Sequence, residues 1–194
     1  NEAFMKNMDI LSEAKLRASY GFSGSQSIGI GATKERLSST YSVANQSIVI
    51  GYQPSGMANP DLKWERTQVT NIGLDLGFLQ KRINFSVEYY NKLTKNLLMS
   101  LPIPASSGYS SYNTNFGSVE NKGIDLDIMG RILTGELQWN IRGNISFNRN
   151  KVLDLGELDM LLGGTWSAID GQNLSVAMVG YPIGAFYGYR INGI

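Results

Sequence analysis

Apolar and polar residues alternate along most of this chain. From Ile124 to Asn148 one set reads Ile124, Leu126, Ile128, then Leu137, Trp139, Ile141, Ile145 and Phe147. The interleaved set reads Asp125, Asp127, Arg131, then Gln138, Asn140, Arg142, Asn144 and Asn148. The rhythm breaks once, at Thr134-Gly135-Glu136. Successive side chains of a strand point to opposite sides, so this period of two describes paired strands with one oily face and one wet face. The same rhythm sets Leu16, Ala18, Tyr20 and Phe22 against Lys15, Arg17 and Ser19. It sets Ile72, Leu74, Leu76 and Phe78 against Asn71, Gly73, Asp75 and Gly77. It sets Ile83, Phe85, Val87 and Tyr89 against Asn84, Ser86, Glu88 and Tyr90. A last run begins at Gly184-Ala185-Phe186-Tyr187. The pattern predicts strands near 14–22, 63–78, 82–97, 116–133, 136–150 and 184–194, with a short helical turn around Ala3 to Leu11.

The connections sort by length. Leu79-Gln80-Lys81 and Thr134-Gly135-Glu136 are short, whereas 23–62, 98–115 and 151–183 are long. In an antiparallel meander alternate connections lie at one end, so all the short turns share one end and all the long loops the other. Outer-membrane barrels have this asymmetry, with short periplasmic turns and long extracellular loops. The expected strands also exceed the roughly 5 or 6 residues of globular sheets and the 9 to 11 that cross a bilayer. Phe78, Phe85 and Trp139 fall near the short turns, and Trp64, Tyr89, Tyr90 and Phe147 toward the long loops, as in interfacial girdles. The expected fold class is therefore all-β, an antiparallel transmembrane β-barrel segment, with a soluble β-sandwich as the alternative.

Composition narrows the chemistry. Charged residues make up 17% of the 194 residues, below the roughly 25% of an average soluble domain. Mean hydropathy is −0.15, and no apolar run approaches the roughly 18 residues of a membrane helix. If the chain crosses a membrane it crosses with strands. A net charge of +1 gives no electrostatic case for nucleic acid. The chain holds no cysteine and no histidine, which removes disulfides, thiolate zinc sites, thiol nucleophiles and histidine-based triads. An enzyme is not expected, nor a cofactor or metal. The first residues carry no basic stretch followed by an apolar one, so no signal peptide is expected and the chain reads as an internal piece of something longer.

Specific wording then adds to the pattern. Ala14-Lys15-Leu16-Arg17-Ala18-Ser19-Tyr20-Gly21 is followed by NPDLKWE (59–65) and TNIGLDLGFLQKRINFSVEYYNKLTKNLL (70–98). SSGYSS (106–111), Asn115-Phe116-GSVENKGIDL (115–126), WNIRGNISFNRNKVLDLG (139–156) and YPIGAFYGYRINGI (181–194) complete the series. In this order, from about Ser12 to the last residue, they resemble the C-terminal part of the barrel in SusC/RagA-type TonB-dependent outer-membrane transporters of Bacteroidetes. The resemblance implies a barrel of roughly 22 strands with a plugged lumen. It implies a plug domain and TonB box that are absent here, and import energised through TonB. It implies a SusD-like surface lipoprotein as partner, an oligosaccharide or peptide as cargo, and a place in the Gram-negative outer membrane. A passive porin or adhesin barrel, or a soluble carbohydrate-binding sandwich, is the alternative function.

Candidate residues follow from this frame. Asp125, Asp127, Arg131, Asn140, Arg142 and Asn144 fall on the wet face and are expected to line the lumen, solvated or paired. The aromatic rings of Tyr109, Tyr112 and Trp166, with Phe116, fall in or beside the long loops and can stack on a sugar ring or pack loop against loop. Asp154, Glu157 and Asp159 carry oxygens suited to calcium but lack the spacing of a calcium loop, and read as a polar loop. GIGATKE (29–35) lacks the Lys-Ser/Thr of a phosphate loop and reads as a flexible connection. Asn121-Lys122-Gly123 is expected to mark a bulge or tight bend.

Overall fold

The computed structural model describes residues 10–25, 29, 31–44, 47–109, 111–165, 173–189 and 193. Five long strands form one antiparallel sheet: β1 (Leu11–Ser25), β4 (Glu65–Phe78), β5 (Ile83–Lys95), β8 (Ser118–Thr134) and β9 (Gln138–Asp154). Their spatial order, β1-β4-β5-β8-β9, is also their order along the chain. The sheet is open, with β1 and β9 at its edges. Among the described residues no helix is long and apolar enough to cross a membrane.

The connections expected as long loops are built largely of further hairpins. β2 (Arg36–Ala44) pairs with β3 (Ser47–Gly56), β6 (Leu98–Pro102) with β7 (Ser111–Asn115), and β10 (Met160–Thr165) with β11 (Asn173–Met178). The strand expected over 184–194 is represented by β12 (Ala185–Phe186), which pairs with β11 rather than β9. Upstream of it, Val152 of β9 donates its N–H to Tyr181 and accepts from Gly180, both at 2.8 Å, so the chain does return to the free edge of β9. Gly184 then takes a positive φ of 74° that diverts it toward β11. The helical turn expected at the N-terminus falls mostly on residues 1–9, outside the described residues.

At the other end the connections are tight. Leu79, Gln80 and Lys81 all take positive φ (50°, 54° and 64°), which is costly for side chains that are not glycine. The turn is held by Leu79 N–H on Ile10 C=O at 2.9 Å, Gln80 N–H on Ser12 Oγ at 2.7 Å, and an ion pair from Lys81 to Glu13 at 2.7 Å. Gly135–Leu137 closes the other hairpin between the paired Thr134 and Gln138.

Register converts alternation into two surfaces. Leu16, Leu74, Val87, Leu126 and Ile145 lie in one row across all five strands. Ala18, Ile72, Tyr89, Ile124 and Phe147 form the row on one side of it; Ala14, Leu76, Phe85, Ile128 and Gly143 form the row on the other. On the edge strands these side chains stand free, Leu16 74% and Phe147 57% exposed, while Leu74, Val87 and Leu126 between them are half-buried. At about 3.3 Å per residue and a tilt near 40°, the stretch from Leu137 to Phe147 rises roughly 25 Å, the height of the apolar band on an outer-membrane barrel. The described side chains that bury most fully lie elsewhere, at the hairpin end. There Val119, Val152 and Leu155 pack with Leu97, Phe116, Leu161 and Ala177.

The expected bend at Asn121-Lys122-Gly123 is absent. All three residues pair in unbroken register with both β5 and β9. Gly123 is small because the Tyr90 ring lies over it: a Cβ would sit 2.6 Å from Tyr90 Oη and against the Phe147 carbonyl oxygen. The irregularities of β8 lie instead at Ser118/Val119 and Arg131/Leu133.

Candidate functional site

The face opposite the apolar band is the candidate site. Its central rows are Lys15, Asp75, Ser86, Asp127, Asn144 and Arg17, Gly73, Glu88, Asp125, Ser146. Alternation on five strands stacks these residues side by side, because neighbouring strands place in-register side chains about 5 Å apart.

Arg17 organises the first half of this wall. Its Nε and Nη2 donate to the two Asp75 oxygens at 2.8 and 3.1 Å, and its Nη1 donates to Glu88 at 3.1 Å. Ser86 Oγ donates to Asp75 Oδ1 at 2.7 Å. The guanidinium reaches Glu88, two strands away, by crossing Gly73, where a Cβ would lie 3.0 Å from Nη2. From the sequence alone Arg17, Asp75 and Glu88 fall on the wet face with no partner assigned. Their opposite charges meet only once register is known.

The second half holds the expected lumen residues. Arg142 donates from Nε and Nη2 to Asp127 Oδ2, both at 3.0 Å, reaching diagonally past Asn144, which is Asp127's partner in register. Asp125 lies in register with Glu88 on one side and Ser146 on the other. Together with Ser86, Asp127 and Asn144 these residues line a groove of ≈ 350 Å³. Arg131 and Asn140 pair nearer the short turns and line a second groove with Met129 and Gln138. Tyr90, counted among the girdle aromatics, lies on this polar face with Lys92 Nζ 5.4 Å from its ring centre.

The loop residues tie hairpins together. Tyr109 donates its hydroxyl to Glu35 at 2.5 Å, linking the β6–β7 connection to the segment before β2. That hydrogen bond, then desolvation, holds the phenol above the usual tyrosine range. Tyr112 is half-buried on β7 opposite Leu101. Phe116 packs in the small core beneath the hairpins, its ring against Gly156. Trp166 lies outside the described residues. Asp154 accepts from Gly156 N–H at 2.9 Å, and among the described residues no three carboxylates gather as a metal site.

The sequence alone assigns Asn115 no role. Its Oδ1 accepts from Lys63 N–H at 2.5 Å, and its Nδ2 donates to the carbonyls of Lys63 (2.6 Å) and Asn96 (3.0 Å). Asn59, 3% exposed, donates to the Asn113 carbonyl at 2.8 Å. The NPDLKWE segment thus clamps the base of the β6–β7 hairpin. Asn115→Ala is expected to weaken this clamp by about 1–2 kcal/mol, speeding hydrogen exchange at the Lys63 amide by roughly 5- to 30-fold. An unchanged exchange rate at Lys63 would show that the clamp contributes nothing.

The family described as TonB dependent receptor-like, beta-barrel matches residues 9–193. TonB-dependent receptor P3 of Formosa agariphila is 34% identical over 195 residues, covering 100% of this chain and 20% of the relative. TonB-dependent receptor SusC of Bacteroides thetaiotaomicron is 32% identical over 204 residues, covering 97% of this chain and 20% of the relative. Among solved structures, that of the RagAB peptide transporter superposes with a TM-score of 0.82 at 27% identity, covering 95% of this chain and 19% of that one. The RagAB peptide importer in the open-open state superposes with a TM-score of 0.76. The chain spans about a fifth of the length of the curated relatives it matches.

Proposed function

Because the chain belongs to the TonB dependent receptor-like β-barrel family, we propose that it forms part of the barrel wall of an outer-membrane importer for oligosaccharides or peptides. In this reading the whole protein is energised through TonB and works with a SusD-like surface lipoprotein. The observation that carries the proposal is the two-faced sheet itself: an unbroken apolar band outside, a charge-paired polar wall inside, turns at one end and hairpins at the other. The family relation supports it, through relatives named as TonB-dependent receptors and a similar structure named as a peptide transporter. The inner wall presents both carboxylates and guanidinium groups beside Asn and Ser. Such a wall offers hydrogen bonds to hydroxyls and peptide groups alike. Tyr109, Tyr112 and Trp166 are the proposed cargo contacts at the outer end.

Single-cysteine labelling of the full-length protein in native outer membranes tests the topology. These 194 residues hold no cysteine, and any cysteine elsewhere in the full-length protein is first replaced by serine. Position 74 is expected to react with a lipid-soluble thiol reagent, position 125 with a small aqueous one, and position 106 with an impermeant reagent added to intact cells. Fractionation of the protein as a water-soluble species, with position 74 closed to lipid-phase reagents, would overturn the proposal.

A further inference from the structure

Beyond the row that holds Tyr89 and Phe147 the outward face becomes basic. The next row reads Tyr20, Thr70, Asn91, Lys122, Arg149; then come Phe22, Gln68, Leu93, Glu120, Lys151; then Gly24, Arg66, Lys95, Ser118, Asp154. Lys122 and Arg149 are direct partners across β8 and β9, and Arg66 and Lys95 are direct partners across β4 and β5. Like charges placed opposite each other weaken strand pairing, so the sheet alone gives no reason for either pair. Two carboxylates share this stretch of the face. Glu120 lies 2.9 Å from Lys122 Nζ and pairs in register with Lys151, while Asp154 is turned to the Gly156 amide. Arg66 rests its guanidinium 4.0 Å above the Phe22 ring. Five cations therefore face outward against two anions, with Arg149 two positions past Phe147 at the rim of the apolar band.

We propose that this basic belt docks a phosphate-bearing headgroup of an outer-leaflet lipid. The inference rests on the membrane-barrel reading above. The belt is continuous with the apolar band, so one molecule can lay acyl chains on Phe147, Ile124 and Tyr89 while its phosphate reaches Lys122, Arg149 and Lys151. A free anion would gain only the upper half of that contact. At about 3.3 Å per residue the cations stand one headgroup depth above the band. Lysine and arginine at such a height attract anionic headgroups, and the attraction weakens with salt.

The test uses the full-length protein in nanodiscs of phosphatidylcholine containing a minor share of diphosphoryl lipid A. After mild delipidation the retained lipid is counted by native mass spectrometry. Wild type is expected to keep lipid A over phosphatidylcholine by roughly fivefold or more, less at high salt. Lys122→Gln/Arg149→Gln/Lys151→Gln is expected to lose the preference, as are Arg149→Gln and Lys151→Gln in part, while Lys92→Gln on the inner face retains it. Equal retention of both lipids by wild type overturns the proposal whatever the variants do. So does an unchanged preference in the triple variant, full competition by inorganic phosphate, or a belt occupied by an acidic protein in place of lipid. Failure of wild type to enter nanodiscs overturns the barrel reading and this proposal together; entry without lipid preference overturns this proposal alone.

Discussion

Leu74→Arg is expected to destabilise the folded barrel by about 2–4 kcal/mol, the cost of a basic side chain at mid-depth on a lipid face. Leu74 sits in the central apolar row, flanked by Leu16 on β1 and Val87 on β5, away from both sheet edges. A guanidinium there meets hydrocarbon with no counter-ion in reach. The matching change on the other face, Ser146→Arg, puts the same group beside Asp125 on the polar wall, where a shift within about 0.5 kcal/mol is expected. The measurement is reversible urea unfolding of the full-length protein in lipid vesicles, read by gel mobility of the folded form. Since about 1.4 kcal/mol is a factor of ten, the two variants should differ in folded-to-unfolded ratio by roughly 10- to 1,000-fold. Equal costs on the two faces would mean that the sheet does not separate lipid from water.

Gly123→Val is expected to block assembly of the β5-β8-β9 wall, and Gly123→Ala to cost about 1–3 kcal/mol by overpacking. A Cβ at Gly123 meets Tyr90 Cζ at 2.7 Å and Oη at 2.6 Å, and it also meets the Phe147 carbonyl oxygen. The tyrosine ring can swing aside. The carbonyl cannot move without disturbing the ladder in which Gly123 pairs with Asn148. Adding Tyr90→Ala to Gly123→Ala should therefore restore only part of the loss. Assembly is followed by the folded fraction in the outer membrane and by protease resistance of the β8–β9 hairpin. Wild-type levels of folded Gly123→Val would show that β8 and β9 separate more freely than the ladder indicates.

The same glycine shows how far sequence reasoning reaches. From the sequence, Gly123 inside an alternating run reads as a bulge, because a strand glycine often marks one. The structure uses the other property of glycine, its lack of a side chain, to seat Tyr90. Gly73 under the Arg17 guanidinium is a second instance. Both depend on what the neighbouring strand brings alongside, and a single strand's alternation carries no such information. Phe116 makes the point in the loops: from the sequence its ring can stack on a sugar or pack loop against loop, and only the structure places it in the small core with Val119 and Val152.

The sequence by itself determined five of the six long strands it predicts, the alternation of faces along their regular stretches, and the separation of short turns from long connections. These are local properties: a period of two follows from backbone geometry, and a turn from a few residues. It also carried the family resemblance, in motifs that keep their order along the chain. Only the tertiary structure decided the cross-strand partners. Arg17 with both Asp75 and Glu88, Arg142 with Asp127 across a diagonal, Lys122 opposite Arg149, and Asn115 around Lys63 all join residues distant in sequence. Alternation assigns a side chain to a face but leaves its position along the neighbouring strand open. Register supplies that coordinate, and with it the salt bridges of the inner wall and the basic belt outside.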